Sequence, residues 1–392
     1  MPAKRATVRH LRRQNRSVLL SALFFDGPLS RQELSAATGL SPATASTITA
    51  ELLDEGLLAE AGSVESDGGR PRVLLRINPD FGRVIGVDVG ETGIKVELFD
   101  LAMTTLATVE HAIAPGDPLA VSALIASSVR DVVDGALDNV LGVGIGVPGT
   151  VEQGSVVHAQ TIGWDAVPLA DMIRAAGITA PLFIENGAKT QGQAEMWFGA
   201  GRGASHVVIA LIGSGVGAAV VTDGTLYRGG EWGHTTIVYN GRPCRCGSRG
   251  CLEAYAGAEG MLDRYREALG HDVPGSDEQS SVDSLLDSDS PIALEIVAET
   301  VGYLGAGIAN LVNLFNPERI VLGGWAGLAL GARELDRIVA ATSAHALRHP
   351  YGQTRIELGQ LGPDAVAVGA ATLPVAALLE AGADPRQARV VA

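Results

Sequence analysis

Cysteine is nearly absent from this chain. There are three in 392 residues, Cys244, Cys246 and Cys251, all within eight positions. That scarcity excludes a disulfide framework, and thiols kept together rather than bridged fit a reducing compartment. Long apolar runs are lacking as well: no stretch reads as a membrane span, and the basic, polar first residues carry no secretory apolar core. The expectation is a cytoplasmic protein with no membrane partner. Acidic residues are missing from positions 1–16, which hold Lys4, Arg5, Arg9, Arg12, Arg13 and Arg16. The chain as a whole is acidic, at −15 net. Residues 1–80 carry ten basic and nine acidic groups, so the rest holds −16. A basic leading edge on an acidic body suits a DNA-binding module that its body keeps off nonspecific sites.

The three cysteines follow a histidine in the text EWGHTTIVYNGRPCRCGSRGCLEAY. One imidazole and three thiolates supply a closed tetrahedral zinc site, here His234, Cys244, Cys246 and Cys251. Pro243, Gly247 and Gly250 let the loop fold around an ion. One structural zinc per chain is expected.

At this length, with 46% apolar residues, two or three domains are expected. Near the start, Leu11 to Phe25 reads as a helix with Val18, Leu19 and Leu23 inward, ending at Gly27-Pro28. Ser30-Arg31-Gln32-Glu33 is a capping box that starts a short helix through Thr38. Gly39-Leu40 turns the chain, and Ser41 caps a third helix with Pro42 at its first position. Two short helices joined by such a turn form a helix-turn-helix. Ala45, Ile48 and Leu52 share one face, leaving Ala43, Thr44, Ser46 and Thr47 outward. Small outward residues let a helix approach base edges closely. The run SVESDGGRPRVLLRIN then reads as a two-stranded wing carrying Arg70 and Arg72. The DNA-contacting set is Thr44, Ser46, Thr47, Arg70 and Arg72, and the partner is double-stranded DNA. The third helix has no outward Arg or Lys, so Arg12, Arg13, Arg70 and Arg72 must supply the phosphate contacts.

Beyond residue 80, RVIGVDVGETGIKVELFDL and HVVIALIGSGVGAAVVTDGTL share a plan of strand, glycine-rich turn and strand. Such turns present backbone N–H groups to anions. Two of them suggest two related lobes with a cleft between.

Glu231-x-x-His234 followed by CRCGSRGCLE, ending at Glu253, resembles the zinc and sugar signature of the ROK family. That family groups sugar-responsive repressors with sugar kinases of the actin-like ATPase fold, and the resemblance runs from about residue 10 to about residue 380. It implies an α/β body of two RNase H-like lobes behind an N-terminal winged helix-turn-helix. The head spans residues 1–80. The first lobe spans 81–190 with a C-terminal helix at 364–381, and the second lobe, with the zinc site, spans 191–363. By resemblance Asp88, Gly90 and Thr92 form the first phosphate motif, and Gly213, Gly215 and Gly217 the second. GVGIGVPG at 142–149 closes over the sugar, and Asn186, Glu231, His234 and Glu253 hold its hydroxyls. Polyols are gripped by amides and carboxylates that make several hydrogen bonds at once. His234 would serve zinc through one ring nitrogen and a hydroxyl through the other. Glu253 has a plainer alternative, capping the helix that follows the zinc loop.

The family's kinases place an Asp directly after an Asn as the proton acceptor. Here the text is Ile184-Glu185-Asn186-Gly187-Ala188-Lys189, with Gly187 in that place. A positioned base is worth about a hundred- to ten-thousand-fold in rate. Thr161 stands for an Asn of the sugar loop, and the chain is several residues short between Tyr227 and Glu231. No catalytic residue is therefore assigned, and the phosphate motifs are read as vestigial. The expected protein is a sugar-responsive regulator, a repressor of carbohydrate-utilisation genes, acting as a homodimer or higher oligomer on paired half-sites. The alternatives are an ATP-dependent sugar kinase with a regulatory head and a constitutive DNA-binding scaffold.

Overall fold

The computed structural model of the chain describes residues 8–66, 69–113, 116–134 and 137–383. Lys4, Arg5 and the tail after 383 lie outside them. The head is built from α1 (Val8–Asp26), β1 (Leu29–Ser30), α2 (Arg31–Thr38), α3 (Pro42–Asp54), β2 (Leu58–Ser66) and β3 (Gly69–Ile77). Its boundaries follow local chemistry. The Ser30 hydroxyl accepts from Glu33 N while the Glu33 carboxylate accepts from Ser30 N, and left-handed Gly39 (φ 70°) ends α2. Ser41 accepts from Thr44 N at 3.1 Å, and Pro42 opens α3 where no N–H is missed. Ala45, Ile48 and Leu52 are buried as the periodicity requires. In α1 the inward face is Leu19, Leu20 and Leu23; Val18 is exposed, because the face is set one residue further on than expected. Strands β2 and β3 pair antiparallel as the wing, with β1 on the outer edge of β3.

The first lobe follows without a linker. Strands β4 (Arg83–Val89), β5 (Gly93–Asp100) and β6 (Thr105–Ala112) make a meander, then come α4 (Pro118–Val132) and β7 (Val140–Val147). A small sheet of β8 (Thr150–Glu152), β9 (Val156–Ala159) and β10 (Trp164–Val167) stands at one side. Next are α5 (Leu169–Ala175), β11 (Leu182–Asn186) and α6 (Gly187–Phe198), a continuous helix that carries the first lobe past the boundary expected at 190. The main sheet has the order β11-β7-β4-β5-β6, antiparallel across β4-β5-β6 and parallel across β4-β7-β11.

The second lobe repeats the plan. Strands β12 (Val207–Ile212), β13 (Val216–Thr222) and β14 (Thr225–Leu226) form its meander, followed by α7 (Glu253–Ala256), α8 (Ala258–Leu269), α9 (Glu278–Leu286) and α10 (Pro291–Phe315). Then come β15 (Arg319–Gly323), α11 (Trp325–His345), α12 (Arg348–Tyr351), β16 (Arg355–Leu358) and α13 (Ala365–Glu380). The sheet order β14-β13-β12-β15-β16 matches the first lobe strand for strand and in direction.

Helix α13 crosses back to lie on β4, β7 and α6 of the first lobe. It comes so close that a Cβ on Gly86 would sit 2.0 Å from the Ala367 carbonyl oxygen, and one on Gly144 1.7 Å from that of Ala370. Those strand glycines are required by helix approach. Two helical segments, Pro291–Phe315 and Gly362–Glu380, are long and apolar enough to cross a membrane, which corrects the reading that no run has that length. Both are mostly buried within the lobes, so their apolar surface has a protein partner already.

Head and first lobe share one core. Leu19, Leu20 and Leu23 of α1 pack with Val84 and Phe99 of the sheet and with Val375 and Leu378 of α13. At the far end of α6, Trp197 meets Phe24 and Phe25 edge-on, with ring centroids 5.5 and 4.9 Å apart. Arg202 donates to the Phe25 carbonyl at 3.0 Å, and Arg16 to that of Gly382 at 2.7 Å.

Candidate functional site

A cleft of about 1080 Å³ opens between the lobes, where the β4–β5 and β12–β13 turns face each other. It brings together residues scattered over the sequence: Asn186, Glu231, His234 and Glu253, together with Asp88, Gly90, Thr92, Gly213, Gly215 and Gly217, all line it. Each turn is closed by its own backbone, Gly90 N to Gly93 O at 2.8 Å and Gly213 N to Gly215 O at 2.9 Å.

Behind one wall, His234, Cys244, Cys246 and Cys251 place their ligand atoms within 4.8 Å of one another. Cys244 Sγ is 3.8 Å from His234 Nδ1, and Cys246 Sγ is 3.8 Å from Cys251 Sγ. A tetrahedron with metal–sulfur bonds of about 2.3 Å has edges of about 3.8 Å, so the four residues fit a zinc-sized ion. Burial pushes the Cys244 and Cys251 thiols above the ordinary range, a cost that a bound cation would reverse.

The cluster adjoins the cleft's polar end. Glu253 is buried; its carboxylate accepts from Val216 N at 3.0 Å and lies 3.8 Å from Cys244 Sγ. It is also the first residue of α7, an acid in the helix's first turn, so its plainer role at the helix N-terminus stands beside its place in the cleft. Asn186 caps α6, accepting from Lys189 N at 3.2 Å and donating to Gly149 O at 2.6 Å, which leaves one amide hydrogen and one lone pair uncommitted. Glu231 is exposed to the cleft. Gly187 is the first residue of α6, Lys189 pairs with Glu185 at 3.4 Å, and Thr161 lines the cleft.

The other end holds features that motif matching did not reveal. Asp88 sits opposite Lys95 in the β4–β5 register, and burial raises its carboxyl to about 7 against the opposing pull of Lys95. Lys95 is itself held by Asp364 at 2.5 Å and Glu110 at 2.7 Å. Arg245, between the first two cysteines, crosses from the second lobe to the first and pairs with Glu91 inside the Asp88–Thr92 turn. From its own side Arg245 is held by Glu259 at 2.6 Å and Glu253 at 3.5 Å. In the second turn Ser214 Oγ donates to the Glu278 carboxylate. The one sequence signal was Glu91, a charge inside an anion-type turn. Arg245 lies 154 positions away and had none.

The head is remote from the cleft. Ser46 and Thr47 are exposed on α3, and Thr44 is half-buried with its hydroxyl 2.9 Å from that of Ser41. The side chain of Arg70 lies outside the described residues. Arg72 is half-buried, and its Nε has no hydrogen-bond partner. Arg12, expected to serve phosphate, is exposed and pairs with Glu51 of α3 at 2.8 Å.

The profile of the ROK family matches residues 84–376. The xylose repressor of Caldicellulosiruptor bescii is 30% identical over 94% of this chain and 97% of its own length. The glucokinase of Halalkalibacterium halodurans is 34% identical, over 73% of this chain and 92% of the enzyme. Among solved structures, a ROK family transcriptional regulator, homologous to the E. coli Mlc protein, superimposes with a TM-score of 0.78 at 26% identity. That match covers 97% of this chain and 99% of the regulator. The repressor and regulator span the head as well as the body, whereas the glucokinase match covers a shorter part of the chain.

Proposed function

This chain belongs to the ROK family, and from that premise we propose that it is a sugar-responsive transcriptional repressor, cytoplasmic, that binds an operator through its head and a sugar in its cleft. The observation that carries the reading is the shared core. A ligand bound at Asn186 touches the N-terminus of α6, a helix of 12 residues and so about 18 Å long, whose other end packs Trp197 against α1. A shift of the cleft thus has a rigid path to α3, and occupancy biases DNA affinity only by its differential fit to the two arrangements.

In this reading Asn186, Glu231, His234 and Glu253 bind hydroxyls, with His234 held in place by a structural zinc through Nδ1. Thr44, Ser46 and Thr47 approach base edges, while Arg70 and Arg72 serve phosphates. The winged heads act in pairs on two half-sites, which makes the working form a dimer or higher oligomer. The glucokinase relative favours a second reading, a sugar kinase with a regulatory head. Asp88 and both turns fit it; Gly187, which has no group to accept the sugar's proton, opposes it.

The test is a mobility-shift titration on DNA upstream of the chain's own gene, with and without a sugar selected by thermal shift. Saturating sugar should weaken operator binding by roughly 5- to 150-fold. Glu231→Ala should bind the operator normally and ignore the sugar. A sugar that binds in the cleft without changing operator affinity would replace the repressor model with a constitutive scaffold.

A further inference from the structure

We propose that the cleft admits an uncharged sugar and excludes phosphate esters and nucleotides, with Glu91 and Glu278 as the residues that set this selectivity. The inference rests on the sugar-cleft reading and narrows its ligand to one chemical class.

Both turns have the backbone of an anion site and the surroundings of the opposite. Among the described residues the cleft is lined by eight carboxylate side chains against a single lysine, and that lysine is engaged by Glu110 and Asp364. Glu91 lies within the first turn, its side chain 15% exposed and held by the guanidinium of Arg245. A phosphoryl group entering there must lie beside that carboxylate or part it from its partner. Arg245 has no charge to spare for the newcomer, since Glu253 and Glu259 hold the same guanidinium. At the second turn Ser214 is the hydroxyl that would greet a phosphate, and it already donates to Glu278. Burial holds the Glu278 carboxyl above the ordinary range, with the charge of Glu91 adding to the shift, so the two acids sense each other across the cleft. A dianion placed between them meets like charge on both sides. A neutral sugar meets no such barrier, because its hydroxyls donate to carboxylates.

The experiment uses the full chain and five probes in calorimetric and thermal-shift titrations: D-xylose, D-glucose, glucose 6-phosphate, magnesium-AMPPNP, and inorganic pyrophosphate as the minimal form of the last. The wild type is expected to show no binding of the three phosphate probes up to about 10 mM. Glu91→Gly combined with Glu278→Gln should gain at least about tenfold in pyrophosphate and AMPPNP affinity. Glu278→Gln alone keeps an acceptor for Ser214 and should give a smaller gain, which guards against misfolding of the double variant. A cooperative melt verifies each fold. Wild type that binds AMPPNP or glucose 6-phosphate as tightly as a neutral sugar overturns the proposal. So do well-folded variants that gain no phosphate affinity. If neither neutral sugar binds while the phosphate arms behave as expected, the sugar-cleft reading is what fails and the exclusion stands.

Discussion

At one end of the cleft, Asn186, Glu231, His234 and Glu253 offer amide, imidazole and carboxylate groups suited to hydroxyls. At the other, two glycine-rich turns suited to anions face carboxylates supplied by the chain itself, Glu91 and Glu278. The two turns rest on matching five-stranded sheets, one in each lobe, and both ends of the cleft draw residues from both lobes. The backbone of each turn is dictated by the hairpin register on either side of it, so it persists whether or not anything binds there. The charge facing the turn is under no such constraint. Glycines in a motif therefore report shape, and the side chains around them report which ligand the shape still serves.

The largest effect should come from the loop that carries the His/Cys cluster, because it reaches both ends: His234 is one of the proposed hydroxyl contacts and Arg245 clasps Glu91 in the first turn. Cys246→Ser should abolish the zinc content expected at one ion per chain and remove the sugar-induced thermal shift. A loss of about 3 kcal/mol would lower the melting temperature by roughly 6–12 °C. Metal analysis, melting curves and the sugar titration read these three outcomes. A metal-free protein that still answers to sugar would show that the polar end stands without the ion, and would separate what the structure joins.

Asp88 sharpens the contrast from the phosphate side. Its folded-state value of about 7 lies above the ordinary 3.8, so the native chain holds this proton more tightly than the unfolded one. Stability from this group is thus present below about pH 4 and is lost as pH rises toward 7. Asp88→Asn removes the penalty. The variant should match wild type below about pH 4, draw ahead of it as pH rises, and exceed it by roughly 2 kcal/mol near pH 8, a deliberately discounted conversion of the shift. Paired urea melts at the two ends of that range test it, and a constant difference would mean that Asp88 is charged throughout.

What was legible in the sequence was local. The Ser30–Glu33 box, the Ser41-Pro42 start of α3 and the four metal-cluster residues each act within 18 positions, so their spacing carries the information. The glycine-rich turns were legible for the same reason. The opposite holds for Arg245 with Glu91 and Ser214 with Glu278, which meet only because two lobes close on each other. The junction of head and body was hidden likewise: α13 reaches α1 from the far end of the chain, and no local pattern marks Leu20 or Trp197 as neighbours of it or of Phe24. Length and hydropathy could not distinguish α10 and α13 from membrane spans either; their packing into the lobes does.

The smallest effect, and the sharpest question, belongs to Gly187→Asp. A Cβ at this position would lie 3.6 Å from the Val147 carbonyl oxygen and 3.7 Å from a Val366 methyl, ordinary contacts that force nothing to move. Glycine is therefore not demanded by space. At the first position of α6 an acid gains from the helix N-terminus and restricts the unfolded chain, so the variant should be more stable by about 0.5–1 kcal/mol. With magnesium-ATP and glucose, neither protein should form sugar phosphate, because the restored acceptor would still face a phosphate end occupied by Glu91 and Glu278. Turnover above about one per second in wild type would mean that another group accepts the proton. Turnover in the single variant alone would mean that ATP enters despite those carboxylates, and the contrast between the two ends would collapse to one missing side chain. If activity instead appears only when Gly187→Asp is combined with Glu91→Gly and Glu278→Gln, the base and the phosphate site are separate losses, each sufficient to silence the chemistry.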